Sequence, residues 1–253
     1  MSSSTDLFVE VEGSGDPILM VHGLGGTTNF YQLQATSLCA HHQVIRFDLP
    51  GAGRSATRPS VSIESFAEDM EAVLEQVGVE QVDIVGHSMG TIAVQHFART
   101  RPGLVRRLAL LGPIREQPEA AREATRARAA VVRSKGMIAV ADAIVGAGTS
   151  EQTRQERPIV AAFIREMLMG QDPHGYASHC EALAAATAVE IAKIDVPTLL
   201  ITGSDDKVSS PDNAKAMLEE FPRASCKVID GIGHWTALEA PQQVTGAIRD
   251  FLN

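Results

Sequence analysis

The stretch Val82-Asp83-Ile84-Val85-Gly86-His87-Ser88-Met89-Gly90-Thr91 constrains this chain more than any other. Its first half is apolar and β-branched, as a strand buried on both faces requires. Its second half is G-x-S-x-G, and Ile92 to Arg99 then reads as a helix. A strand, a tight turn and a helix together make this pattern a nucleophile elbow, not a chance run of glycines. In such a turn the serine backbone is strained, and Gly86 and Gly90 leave room where a Cβ would meet the neighbouring strand and helix. The Ser88 hydroxyl is thereby carried to a helix N-terminus, where the dipole favours developing negative charge. The competing reading is a glycine-rich turn before an ordinary helix.

The rest of the chain fits a parallel α/β sheet. Leu7 to Glu12 alternates and reads as an edge strand. Gly13 to Pro17 reads as a hairpin turn and Ile18 to Val21 as a buried strand running into His22-Gly23-Leu24-Gly25-Gly26. Glycines at the end of a parallel strand let backbone N–H groups face a cleft. Phe30 to Ala40 predicts a helix, Gln43 to Phe47 a strand, and Ile63 to Val77 a helix with apolar residues at helical spacing, closed by Gly78. After the elbow and its helix, Val105 to Leu111 is another strand. Pro113 to Lys193 then holds no convincing strand and reads as helices over 118–134, 137–145, 158–169 and 173–187. Alternation resumes with a strand at 197–202, a helix at 211–220, a strand at 225–229 and a helix at 241–252. The expected organisation is a core of residues 1–112 and 194–253 with a helical insertion, 113–193, starting at the carboxyl end of a strand, where ligands bind in such sheets.

Partners are narrowed by charge and composition. A formal charge of -9 with no Lys/Arg block argues against nucleic acid or an anionic membrane as the main partner. No apolar run reaches the length of a membrane span, and Met1 to Asp6, short and polar, predicts no secretory signal peptide. Cys39, Cys180 and Cys226 are far apart and odd in number, which fits reduced thiols in a cytoplasmic protein better than disulfides or a metal site. No His/Cys/Asp/Glu cluster has metal-ligand spacing, and Gly51-Ala52-Gly53 lacks any nucleotide-loop pattern. No cofactor is expected. Oligomeric state is not readable.

A serine hydroxyl needs a base, and the base needs an orienting acid. After an elbow serine these follow in the order acid, then histidine. The strand at 197–202 leads into Gly203-Ser204-Asp205-Asp206-Lys207-Val208, and the last strand into Asp230-Gly231-Ile232-Gly233-His234-Trp235. Both loops lie at strand ends over one edge of the sheet, so His234 is the candidate base. Asp206 is favoured as the acid, with Asp205 close behind. His22 is read as a brace for its loop, His96 as lying behind the nucleophile, and His174 and His179 as a solvated helix face.

These residues resemble the α/β-hydrolase-fold serine hydrolases over nearly the whole chain. The matching pieces are His22 to Gly25, Asp48 to Ser55, the elbow, Gly203 to Val208, and Gly233-His234-Trp235 with Glu239-Ala240-Pro241. The resemblance implies a mostly parallel sheet of seven strands, because the first hairpin is short, flanked by helices with 113–193 as a cap. It implies Asp206 as the acid, and an oxyanion hole from the Leu24 and Met89 N–H groups. Within the family the chain is similar to 3-oxoadipate enol-lactonases, notably at Asp172 to Cys180 and Ile194 to Pro197. It departs from them at His87 and Thr91. A serine elbow differs from the aspartate of haloalkane dehalogenases and epoxide hydrolases.

The implied reaction is hydrolysis of a small ester or lactone through an acyl-enzyme. The alternatives are a C–C bond hydrolase of a diketone-type substrate with the same residues, and a ligand-sensing receptor that keeps the fold with feeble turnover. If the enol-lactonase resemblance extends to the substrate, it carries a carboxylate, and an arginine of the insertion clamps it. Arg133 and Arg165, beside apolar neighbours, are the candidates, with Trp235 as a further substrate contact. Solvated faces, with Glu119, Glu123 and Glu166 nearby, are the competing reading for most of these arginines.

Overall fold

The computed structural model describes residues 7–253. Residues 1–6, read above as a short polar lead, lie outside the described residues.

Seven strands form one sheet: β1 (Val9–Glu12), β2 (Asp16–Val21), β3 (His42–Phe47), β4 (Val82–His87), β5 (Val105–Leu111), β6 (Thr198–Gly203) and β7 (Ala224–Ile229). Their spatial order is β1-β3-β2-β4-β5-β6-β7. All pairs are parallel except β1 with β3. The elbow strand β4 lies between β2 and β5.

The Gly13–Pro17 segment does not close a hairpin, which corrects the sequence reading: β1 pairs with β3, in the register Glu10↔Arg46, and not with β2. Arg46 on β3 supplies the physical reason. Its side chain is almost fully buried and takes both Glu10 (3.1 Å) and Glu12 as ion-pair partners. Those glutamates stand two apart on β1 and so point to the same face. A buried guanidinium needs such partners, and this pairing supplies two carboxylates.

Strand alternation sorts the apolar residues into two layers. Leu19, Val21, Ile84, Leu108, Leu110 and Leu200 face one side, with α2 (Ile63–Val77) and α3 (Met89–Thr100). Ile18, Met20, Val85, Ala109, Leu111 and Ile201 face the other, with α1 (Gln32–Leu38) and α11 (Pro241–Leu252). Each of the larger of these side chains contributes about 1.5–3 kcal/mol by leaving water. Helix α1 is preceded by a 3-10 turn at Thr28–Tyr31, so the expected helix starts differently.

Between β5 and β6 the chain forms α4 (Glu119–Lys135), α5 (Ala141–Gly148), α6 (Glu151–Glu156), α7 (Pro158–Met169) and α8 (Pro173–Ala185). α4 packs along α8. No helix is expected from sequence at α6, whose residues are polar and mostly exposed. Apolar periodicity is absent there, and the start is fixed instead by Ser150, whose Oγ accepts from Thr153 N–H at 3.0 Å. α9 (Pro211–Glu220) lies against β6 and β7, and α10 (Thr236–Glu239) follows the last strand. Among the described residues no helix is long and apolar enough to cross a membrane.

Candidate active site

Ser88 sits between β4 and α3 with φ 51° and ψ -121°, the only non-glycine at positive φ among the described residues. Such a backbone costs about 1–3 kcal/mol and persists only where its surroundings impose it. Here Ser88 N–H donates to Leu111 O at 2.9 Å, and Ser88 O accepts from Thr91 N–H (2.8 Å) and Thr91 Oγ1 (2.6 Å). Gly90 lets α3 start against β2: a Cβ there would lie 2.6 Å from the carbonyl oxygens of Val21 and His22.

The two strand-end loops converge on this serine. His234 Nε2 lies 2.7 Å from Ser88 Oγ, and its Nδ1 lies 2.8 Å from Asp206 Oδ2. Asp206 is the buried partner; its other oxygen accepts from Val208 and Ser209 N–H, each at 2.8 Å. Asp205 is exposed and takes only Ser204 Oγ at 3.0 Å. A carboxylate at Nδ1 fixes the proton there and leaves Nε2 free to accept from the serine hydroxyl. Gly112, at φ 53°, gives the ring its space, since a Cβ would sit 2.8 Å from His234 Cε1.

Both elements around the histidine loop hold it. His234 N–H donates to Gly148 O at 2.8 Å. Glu239, wholly buried, accepts from Gly233 N–H (3.0 Å), Trp235 N–H (3.1 Å) and Ser150 N–H (2.9 Å). His87 Nε2–H donates to His234 O at 2.9 Å, with its ring stacked on Phe30 at 4.2 Å. Burial, and then the nearby His234, hold the His87 pKa well below the usual imidazole value, so it stays neutral.

Leu24 lines the cavity in front of Ser88, and Met89 is the first residue of α3. A first helical N–H has no intrahelical acceptor and points out of the helix end. The Leu24 loop is braced by His22, which donates from Nδ1 to Gly23 O (2.9 Å) and accepts Leu49 N–H at Nε2 (3.0 Å). Asp48 extends the brace by accepting Thr28 N–H (2.6 Å) and Arg54 N–H (2.9 Å).

Ser88 and His234 open into a cavity of about 480 Å³ walled mainly by apolar residues, among them Leu24, Ile144, Leu183 and Trp235. α4, α5 and α8 supply much of that wall. Trp235 Nε1 is buried without a protein partner. Arg133 and Arg165, expected at the cavity, are not in its wall. Arg133 pairs with Glu181 and Arg165 with Asp142, at 2.5 Å, on the outside. Their apolar neighbours turn inward and the arginines outward, because adjacent helical residues do not share a face. The arginine that does line the cavity is Arg128, which the sequence reading did not separate from its neighbours. The available signal was Ala124, Ala127, Arg128 and Val131, a stripe of cavity-facing positions at helical spacing with one charge in it. His174 is exposed, but His179 is not on a solvated face: it is buried, donating from Nε2 to Pro50 O at 2.7 Å. Among the described residues no group of three or more His, Cys, Asp or Glu could hold a metal ion.

A sequence model of the α/β hydrolase fold matches residues 16–158. The chain belongs to the α/β-hydrolase fold family. Its structure superposes on a thermophilic esterase from Thermogutta terrifontis, solved with malate bound, with a TM-score of 0.94 at 30% identity, covering 97% of this chain and 92% of that one. It superposes on the enol-lactonase from Burkholderia xenovorans LB400 with a TM-score of 0.92 at 26% identity, covering 98% and 96%. In sequence it is 27% identical to the (E)-2-((N-methylformamido)methylene)succinate hydrolase of Acinetobacter baylyi, over 95% of this chain and 92% of that protein. α/β-hydrolase members with esterase and lactonase activity are thus its relatives.

Proposed function

We propose that this α/β hydrolase cleaves a small-molecule ester or lactone through an acyl-enzyme on Ser88. The observation that carries the reading is the continuous chain from Ser88 Oγ through His234 to Asp206, at 2.7 and 2.8 Å, on a strained serine. His234 takes the serine proton as Oγ attacks the carbonyl carbon, and Asp206 stabilises the imidazolium. The Leu24 and Met89 N–H groups hold the oxyanion, each worth about 10²–10³ in rate. His234 then protonates the leaving alkoxide, activates water, and the acyl bond is hydrolysed. The helical insertion acts as the cap that closes the cavity, and Trp235, in the wall beside Ser88 and His234, is a further substrate contact. The free cysteines fit a reducing compartment such as the cytoplasm.

The test is a hydrolysis panel of short-chain esters and small lactones, with Ser88→Ala as the blank. Two relatives carry a dicarboxylate in their descriptions, malate and a succinate, so the panel includes anionic members. Ser88→Ala is expected to lower kcat by on the order of 10⁴–10⁶, and a serine-directed phosphonate to label Ser88. Turnover that survives in Ser88→Ala ends the reading. A diketone cleaved at carbon, with esters untouched, would replace it with C–C bond hydrolysis.

A further inference from the structure

We infer that Arg128 is an anion-binding residue of the cavity, so that the ester or lactone accepted here carries a carboxylate. The inference rests on the hydrolase reading for its substrate, though not for the site itself.

The arginines of the insertion divide sharply. Those at 115, 122, 126, 133 and 165 are in ion pairs with Glu220, Glu116, Glu119, Glu181 and Asp142. Arg154 donates to the Gly146 and Thr149 carbonyls, and Arg157 to Glu239 O. Arg128 is the exception. It is half-buried, it lines the same cavity as Ser88 and His234, and among the described residues no carboxylate pairs with it.

Its ionisable neighbours are Tyr176 and Cys180. Neither supplies a negative charge near neutral pH. Burial raises the Tyr176 phenol, and burial pushes the Cys180 thiol up to about 12. The guanidinium itself does not give up its proton. A partly desolvated cation without a counter-charge is unfavourable unless something else supplies the anion. The remaining wall is mainly apolar, with Gln117, Tyr176 and Trp235 as the polar exceptions outside the Ser88–His234 pair. In a chain that carries -9 overall, Arg128 places a positive charge in the wall of this cavity. A carboxylate takes two N–H donors from one guanidinium, which fixes orientation as well as charge.

The experiment compares an ester bearing a free carboxylate with its neutral methyl-ester counterpart, in wild type, Arg128→Gln and Arg128→Lys. The readout is the ratio of kcat/KM values, anionic over neutral, which cancels any general loss of active protein. Wild type is expected to favour the anion. The ratio is expected to fall about 10- to 100-fold in Arg128→Gln, the cost of one charged hydrogen-bonding group, and by less in Arg128→Lys. In parallel, succinate is expected to raise the Tm of Ser88→Ala protein and not of Ser88→Ala/Arg128→Gln. A ratio unchanged in both variants, or a wild-type preference for the neutral ester, overturns the anion site and leaves the hydrolase. No turnover of either ester, with the succinate shift present and dependent on Arg128, overturns the hydrolase reading and leaves the anion site. No succinate shift in that case ends both.

Discussion

Two adjacent aspartates separate cleanly at the level of single atoms. Asp206 gives one oxygen to His234 Nδ1 and the other to two backbone N–H groups, whereas Asp205 points to solvent. Asp206→Asn is expected to lose on the order of 10⁴ in kcat, because an amide at Nδ1 favours the wrong imidazole tautomer. Asp205→Asn is expected to stay within a few-fold of wild type. Steady-state kinetics on one ester decides it, and the reverse ranking would move the acid to Asp205. Ser88 and His234 were legible from sequence because their signal is local: a G-x-S-x-G between a strand and a helix, and a histidine between glycines after the last strand. Arg128 was not legible. Its place in the cavity wall is set by the rotation of α4 about its axis, which neighbouring arginines at 126 and 133 obscure until partners are assigned.

At the level of elements, the short helix α10 carries the carboxylate that shapes the histidine loop. Glu239 accepts three main-chain N–H groups, two from that loop and one from the start of α6. Glu239→Gln replaces one acceptor oxygen with an NH2 that must face a donor. The expected cost is about 2–3 kcal/mol, read from urea unfolding, together with a fall in kcat as His234 loses its fixed position. Unchanged stability would show that the loop holds its shape without the carboxylate. The strands and most helices could be read from periodicity, since each buries a face. Two features could not. α6 buries little and begins on a cap, and β1 chooses β3 through the buried Arg46, a contact far away in sequence.

At the level of the whole molecule, the insertion is joined to the core by buried polar contacts. His179 of α8 donates to Pro50 O, and Ser150 N–H at the start of α6 donates to Glu239 of α10. Burial lowers the His179 pKa from 6.5 to about 4. The folded ring therefore stays neutral at pH values where the unfolded ring has already bound a proton. Its contribution is complete above about pH 6.5 and is lost as pH falls toward 4, amounting to roughly 3 kcal/mol. His179→Gln, which keeps an amide donor for Pro50 O, is expected to flatten the decline of Tm between those pH values. An unaltered slope would assign the acid sensitivity elsewhere, with buried His87 and His22 next in line since both are shifted the same way. The main-chain bond from His234 to Gly148 O carries a different kind of consequence. The insertion is not a detachable cassette, because the histidine is anchored to it. Grafting a relative's whole segment here would exchange the histidine's support together with the cavity wall. The shape of the cavity is thus more accessible to change through single replacements on the inner stripe of α4, at Ala124, Ala127 and Val131, where side chains change and the anchoring backbone does not.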